Sequence, residues 1–156
     1  MGVHDFSIKS HDVDDSEPGK PSEQEALRAV YTLLKWAGDD PEREGLLETP
    51  KRVLKAFNEW FRGYEEDPVK VLEKTFTEVE GYEDWVVLKS IRLESYCEHH
   101  LAPIIGTVRV AYLPDKLVVG ISKLARVVDI FSKRLQIQER LTREIGLTID
   151  SVLKPK

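Results

Sequence analysis

One stretch of six residues constrains the fold of this chain more than any other: SYCEHH, residues 95–100. It contains the only cysteine of the chain and two of its four histidines. Cys97 and His100 stand in Cys-x-x-His spacing, so a thiolate and an imidazole can close on one metal ion, for which zinc is the usual choice. Glu98 and His99 lie between them, where they can transfer protons or form hydrogen bonds beside the metal. The alternative interpretation is a buried structural thiol that binds no metal.

Two ligands do not complete such a site. A catalytic zinc takes three protein ligands and a water, and the sequence contains no second cysteine. The other two histidines, His4 and His11, lie in a polar N-terminal tail. The residues therefore predict a zinc site whose third ligand is not identified.

Length and composition narrow the class of protein. A chain of 156 residues fits one domain with an N-terminal extension. The net charge of -5 argues against binding to nucleic acid, and no apolar run reaches the roughly 18 residues that span a membrane. A single cysteine excludes an intrachain disulfide, and the N-terminus lacks the apolar core of a signal peptide. We expect a soluble cytoplasmic protein.

The first third of the chain predicts a tail and two helices. Residues 1–21 are polar and rich in breakers, which predicts a disordered tail. Residues 22–65 form a helical region, in which SEQE (residues 22–25) is a capping box that opens the first helix. The second helix begins with Thr49 as N-cap and ends at Gly63.

Residues 66–156 predict a mixed domain of strands and helices. An apolar run from Trp85 leads directly into Cys97 as a strand, and a second strand runs from Pro103 to Tyr112. A third helix follows with Ser122 as N-cap, and a fourth begins near residue 136 and ends before residue 155. Residues 69–76 fit either a short helix or irregular structure. Two strands alone are marginal, so we expect further strands from elsewhere.

Several polar or charged residues at helix starts could bind a ligand or could have a purely structural role. Lys123 and Arg126, at the start of the third helix, oppose the helix dipole and could hold an anion, or they are simply solvated. Gln138 and Glu139 could read the donor edge of guanine, although an acid that matches the helix dipole explains Glu139 equally well. Ser122 is read as the N-cap of the third helix, and Arg52 and Lys55 as a solvated basic face of the second helix.

Four segments together carry a resemblance to a known family. They are SYCEHHLAP at residues 95–103, VGISKLAR at 119–126, RLQIQERLT at 134–142 and ETPKRV at 48–53. In this order they resemble the motifs of GTP cyclohydrolase I, and the resemblance covers about residues 22–156. That family opens the imidazole ring of GTP, releases C8 as formate and forms 7,8-dihydroneopterin triphosphate, in the first step of tetrahydrofolate and pterin biosynthesis.

The resemblance implies a role for each candidate residue. Cys97 and His100 would bind Zn²⁺, which would activate a water to attack C8, and His99 would donate or accept a proton near the purine nitrogens. The residues implied around the base are Glu98, Gln138 and Glu139. Those implied to hold the triphosphate are Ser122, Lys123 and Arg126, with Arg52 and Lys55 from a neighbouring subunit.

The resemblance also implies an α+β tunnelling fold (T-fold), in which antiparallel strands pack on helices and several subunits close a barrel. Its members are ring-shaped homo-oligomers, typically decamers. They continue past Lys156 with two more strands that carry the third zinc ligand, so we expect a shortened, partial T-fold domain over residues 66–156. The alternatives are an inactive truncated form, a non-catalytic assembly or regulatory subunit, and a different pterin- or deazapurine-processing enzyme on the same fold.

Overall fold

The computed structural model describes Gly19, residues 21–77 and residues 84–156. Almost all of the predicted tail therefore lies outside the described residues. The chain forms two compact units, Met1–Lys51 and Arg52–Lys156. No described helix is both long enough and apolar enough to cross a membrane.

The described part of the first unit contains helix α1 (Glu23–Trp36), as the capping box predicts. The Glu25 N–H donates to Ser22 Oγ at 3.3 Å, and the Ser22 N–H donates to Glu25 Oε2 at 2.8 Å, so each residue caps the other. Gly38 follows the helix with a φ of 95°, a left-handed conformation that glycine adopts without steric cost. The predicted start of this helix is confirmed.

The second unit is a mixed α+β structure that contains all but the start of α2. Its two long strands and its last two helices confirm the sequence prediction. Its elements are α2 (Thr49–Trp60), a 3-10 turn (Arg62–Tyr64), α3 (Pro68–Leu72), β1 (Thr75–Phe76), β2 (Val86–Cys97), β3 (Pro103–Tyr112), β4 (Val118–Val119), α4 (Ile121–Ser132), β5 (Leu135–Gln136) and α5 (Gln138–Leu153).

The main sheet has the strand order β3-β2-β5. β2 pairs antiparallel with β3 along most of its length and parallel with β5 at its end. A register shift between Leu88 and Ile91, with Ser90 at a φ of 60°, marks a bulge in β2. The bulge keeps Leu88, Ile91 and Leu93 on the inner face of the strand. β1 and β4 form a separate antiparallel pair.

α4 packs against β2, α5 packs against α4 and α3, and these helices form the core with the sheet. α4 buries an apolar stripe, and α5 contributes an apolar face at helical spacing. Each such side chain, once fully buried, contributes about 1.5–3 kcal/mol through the hydrophobic effect. The buried residues of these two helices in the core are Leu124, Val127, Val128, Phe131, Leu141, Ile145, Ile149 and Leu153.

Three predicted helix starts differ from the structure, by one residue at α2, where Thr49 is already helical, and by two at α4 and α5. The N-cap of α4 is Gly120, and Ser122 is already inside the helix without a side-chain capping bond. This occurs because β4 pairs with β1 up to Val119, so the chain turns into the helix at once. Gln136 belongs to β5 and is 1% exposed, so α5 begins two residues later, at Gln138. The uncommitted stretch 69–76 contributes to α3 and β1.

The 3-10 turn is pinned to the C-terminal end of α4. The Gly63 N–H donates to the Lys133 carbonyl at 3.0 Å. Arg134 Nε donates to the Gly63 carbonyl at 2.8 Å, and Arg62 forms ion pairs with Asp129 and Glu66. A Cβ at Gly63 would lie 2.0 Å from the Ile130 carbonyl oxygen, so only glycine fits this contact.

We therefore expect Gly63→Ala to destabilise the protein by about 3 kcal/mol, because the added methyl group meets backbone that cannot move aside. Gly146→Ala is the matched control. It lies on the exposed side of α5 with no heavy atom within 4 Å of the new Cβ, and it should stabilise the protein by about 0.5–1 kcal/mol through helix propensity. Urea denaturation of both variants measures the difference, and equal midpoints would contradict the packing seen at Gly63.

Candidate active site

The turn between β2 and β3 displays the CEHH residues at one corner of the sheet. The Cys97 N–H donates to the Ala102 carbonyl at 2.8 Å, and the Leu101 N–H donates to the Cys97 carbonyl at 2.9 Å. Leu101 closes the turn with a φ of 55°. Within the turn, Cys97 and Glu98 are half-buried, whereas both histidines are exposed. The sequence prediction that a strand delivers the chain into Cys97 is confirmed.

Strand β5 joins this turn to the start of α5. Cys97 pairs with Gln136 in parallel register, and the Glu98 N–H donates to the Gln136 carbonyl at 3.1 Å. Gln138 and Glu139 are the first two residues of α5, and both are exposed. The structure therefore brings the predicted metal ligands and the predicted base-reading residues to the same corner.

A buried amide stabilises the same junction. Gln136 Nε2 donates to the Phe131 carbonyl at 3.1 Å and to Glu144 Oε2 at 2.7 Å. Its Oε1 atom and Arg140 Nε are buried without a protein partner. Unpartnered buried polar atoms are uncommon in native structures and mark places where a water or a ligand atom fits. Sequence analysis missed Gln136 because its spacing fits a helix start equally well.

Glu98 forms an ion pair that the sequence did not predict. Its Oε2 atom accepts from the guanidinium of Arg140, on the first turn of α5, and its Oε1 atom lies 3.8 Å from His99 Nε2. A basic residue in a first helical turn opposes the helix dipole. That signal drew attention to Lys123, and it could have identified Arg140 as well.

The donor atoms of the turn suit zinc in kind. Cys97 Sγ and His99 Nδ1 are 3.6 Å apart, which matches the roughly 3.6 Å between sulfur and nitrogen ligands on one tetrahedral zinc. The His99 and His100 ring centroids are 6.2 Å apart, so the two imidazoles occupy different positions. No group of three metal-binding side chains is found among residues 21–77 and 84–156. A third ligand would have to come from another residue or subunit, and the predicted Cys97–His100 pairing stays a prediction.

The predicted phosphate-binding residues lie on helices α4 and α2. Ser122 and Arg126 are exposed and one helical turn apart on α4, and Lys123 between them is half-buried. No side chain caps α4, and the Lys123 N–H donates to the Gly120 carbonyl at 2.8 Å. The other N–H groups of the first turn can donate to an anion. Arg52 and Lys55 are exposed on α2. Their predicted role concerns a neighbouring subunit and stays a prediction.

Aromatic side chains pack against the end of β2. The Trp60 ring stacks on Tyr96 with centroids 4.6 Å apart, and Phe61 meets the same tyrosine edge-on at 5.6 Å. Burial, aided by the charge of Glu94, raises the pKa of Tyr96. Ser95, which is buried, donates from Oγ to the Arg134 carbonyl at 3.3 Å. Tyr96, the residue directly before Cys97, is therefore held by Trp60 of α2 and by Phe61 just after it.

A groove of about 660 Å³ lies between β3 and α5. Of the predicted site residues that the structure describes, Gln138 alone lines this groove. None of the CEHH residues lines this groove.

Comparison with known proteins identifies the family. Residues 26–156 match the family model of GTP cyclohydrolase I. The chain belongs to the GTP cyclohydrolase I family. The predicted resemblance, the α+β fold class and membership of a family of hydrolases are confirmed.

Named relatives agree with this membership. The chain is 61% identical to GTP cyclohydrolase 1 of Maricaulis maris over 137 residues, which cover 88% of the chain and 67% of the relative. It is also 61% identical to the Pelagibacter ubique protein of that name, with 88% and 68% covered. The Brucella anthropi protein is 61% identical over 138 residues, with 88% and 65% covered. The chain thus spans about two thirds of the length of these relatives.

Replacing Trp60 by alanine should destabilise the second unit by about 2 kcal/mol, because the substitution removes the stack on Tyr96 and its buried area. Trp60→Phe keeps an aromatic ring and should lose less than half of that. Thermal denaturation followed by circular dichroism compares the two variants. Equal losses would show that the stack on Tyr96 does not anchor β2.

Proposed function

We propose that the protein is a zinc-dependent GTP cyclohydrolase that hydrolyses GTP at C8 to formate and 7,8-dihydroneopterin triphosphate, in the first step of tetrahydrofolate biosynthesis. The observation that carries the proposal is the corner where the CEHH turn meets the start of α5 in a chain of this family. A thiol, two imidazoles and a carboxylate–carboxamide pair converge there. Such a set suits ring opening of a guanine nucleotide.

Base recognition is assigned to the start of α5. Guanine presents N–H donors on its Watson–Crick edge, and the Glu139 carboxylate can accept from them. The Gln138 carboxamide can both donate and accept, so it can contact the base beside Glu139. Both side chains are exposed and separated from Cys97 by only the short β5 pairing. The base would then lie with its imidazole ring toward the turn.

Phosphate binding is assigned to α4. Its uncapped N-terminus supplies backbone donors, Lys123 and Arg126 supply positive charge, and Ser122 supplies a hydroxyl. Arg52 and Lys55 of a neighbouring subunit would complete the site. This assignment requires a homo-oligomeric ring, decamer-like in this family.

The chemical step is assigned to the turn itself. Cys97 and His100 would hold the zinc ion, and bound zinc supplies Lewis acidity that lowers the pKa of a water toward about 7. His99, whose ring is exposed and adjacent to Cys97 Sγ, would transfer protons to and from the imidazole nitrogens of the purine. A cytoplasmic location, with no membrane or nucleic-acid partner, completes the proposal.

The direct test is formation of formate and of fluorescent oxidised neopterin from GTP, measured on the full chain with and without added zinc. His99→Ala should reduce kcat by about 10²–10⁴-fold, the usual contribution of a general acid or base. Arg143→Ala, an exposed change on α5, is the control and should keep wild-type rates. A wild-type chain that binds zinc and GTP but releases no formate would refute the activity.

Zinc content tests the ligand assignment separately. After gel filtration in zinc-containing buffer and exhaustive dialysis, Cys97→Ser and His100→Ala should retain much less metal than the wild type, because each loses a ligand. His99→Ala should retain its zinc. If His99→Ala lost the metal while His100→Ala kept it, the imidazole 3.6 Å from Cys97 Sγ would be the ligand instead.

A further inference from the structure

We propose that Arg140 is a positioning residue that holds the Glu98 carboxylate so that Glu98 orients the imidazole of His99. The catalytic consequence of this inference rests on the proposed function, whereas its structural part does not. It gives Glu98 a different task from contact with the base. It also gives a role to an arginine that sequence analysis did not select.

The three side chains form a continuous line across the corner. Arg140 donates to Glu98 Oε2, and the other carboxylate oxygen, Oε1, lies 3.8 Å from His99 Nε2. The opposite ring nitrogen, Nδ1, lies 3.6 Å from Cys97 Sγ. Both nitrogens of His99 therefore face a defined neighbour. A small shift of Glu98 toward the ring would complete the hydrogen bond that sets a histidine tautomer.

Arg140 lies on α5, a helix that is anchored in the hydrophobic core. The next residue, Leu141, is buried in the core, and α5 continues through the buried residues Ile145 and Ile149. Arg140 Nε is itself buried, while about 41% of the side chain remains exposed. Burial of Nε therefore limits the movement of the Arg140 guanidinium. Glu98 belongs to a turn, so Arg140 provides the fixed end of the pair.

Backbone contacts bring the same two elements together. The Glu98 N–H donates to the Gln136 carbonyl, and the Gln136 side chain is tied to Glu144 of α5. Glu98 is therefore linked to α5 by its own side chain, through Arg140, and by its backbone, through Gln136. A carboxylate constrained in this way is what a proton-transferring histidine needs for a stable orientation.

A purely structural ion pair would behave differently when removed. Partly exposed pairs add little to global stability. Loss of Arg140 should therefore leave the melting temperature almost unchanged and alter the turn locally. Cys97 is the only cysteine of the chain, so its reaction rate with a maleimide reports on that turn alone.

The experiment measures maleimide labelling of Cys97 and the ring tautomer of His99 by ¹⁵N NMR in the zinc-free full chain. Arg140→Ala and Glu98→Gln should both label several-fold faster than wild type and broaden or shift the His99 resonances. Arg140→Lys keeps the charge and should recover most of the wild-type behaviour. Arg143→Ala, an exposed arginine on the same helix, should match wild type.

Steady-state kinetics with GTP provide the second readout. Arg140→Ala should lower kcat by about tenfold or more with little change in KM, because a positioning residue acts on the reaction step rather than on uniform binding. Wild-type labelling rates and an unchanged His99 tautomer in both Arg140→Ala and Glu98→Gln would overturn the inference. If Arg140→Ala fails to fold, Glu98→Gln decides alone.

The two proposals fail in different ways. Labelling and NMR need neither zinc nor turnover, so a chain without cyclohydrolase activity refutes the proposed function and leaves the positioning result intact. Conversely, an active wild type whose Arg140→Ala variant keeps its labelling rate, tautomer and kcat refutes the positioning role alone.

Discussion

The parallel pairing of β5 with the end of β2 is the constraint on which the site depends. It is only two residues long, yet it places Cys97 opposite Gln136 and lets the Glu98 N–H bond to the same strand. Without it, the CEHH turn would be the free end of a hairpin. With it, the turn is attached to the start of α5, where the candidate base-reading residues lie.

The rest of the second unit supports that pairing from two sides. Trp60 of α2 stacks on Tyr96 near the end of β2, so α2 limits the movement of the strand. Arg134, directly before β5, donates to the carbonyls of Gly63 and Glu66 and lies over the Phe131 ring with its guanidinium carbon 4.9 Å from the centroid. The chain is therefore held on both sides of the junction, which is what a site of closely placed polar groups requires.

Local patterns predicted much of this architecture. The capping box, the alternating strand at residues 103–112 and the apolar stripes of α4 and α5 are signals that neighbouring residues carry by themselves. Helix starts were less predictable. Ser122 has the chemistry of an N-cap, but β4 ends so close to it that Gly120 takes that place. Gln136 continues a helical pattern, but its amide is committed to Phe131 and Glu144.

The sequence by itself determined the family, the order of the main elements and the composition of the CEHH turn, because those follow from residue type and short-range spacing. Only the tertiary structure decided that Arg140 meets Glu98 across 42 residues, that His99 Nδ1 lies beside Cys97 Sγ, and that Gln136 is buried under the turn. The physical reason is that these contacts depend on the pairing of β5 with β2. A strand of two residues is too short to show a periodic pattern, so its local sequence does not predict which strand it pairs with.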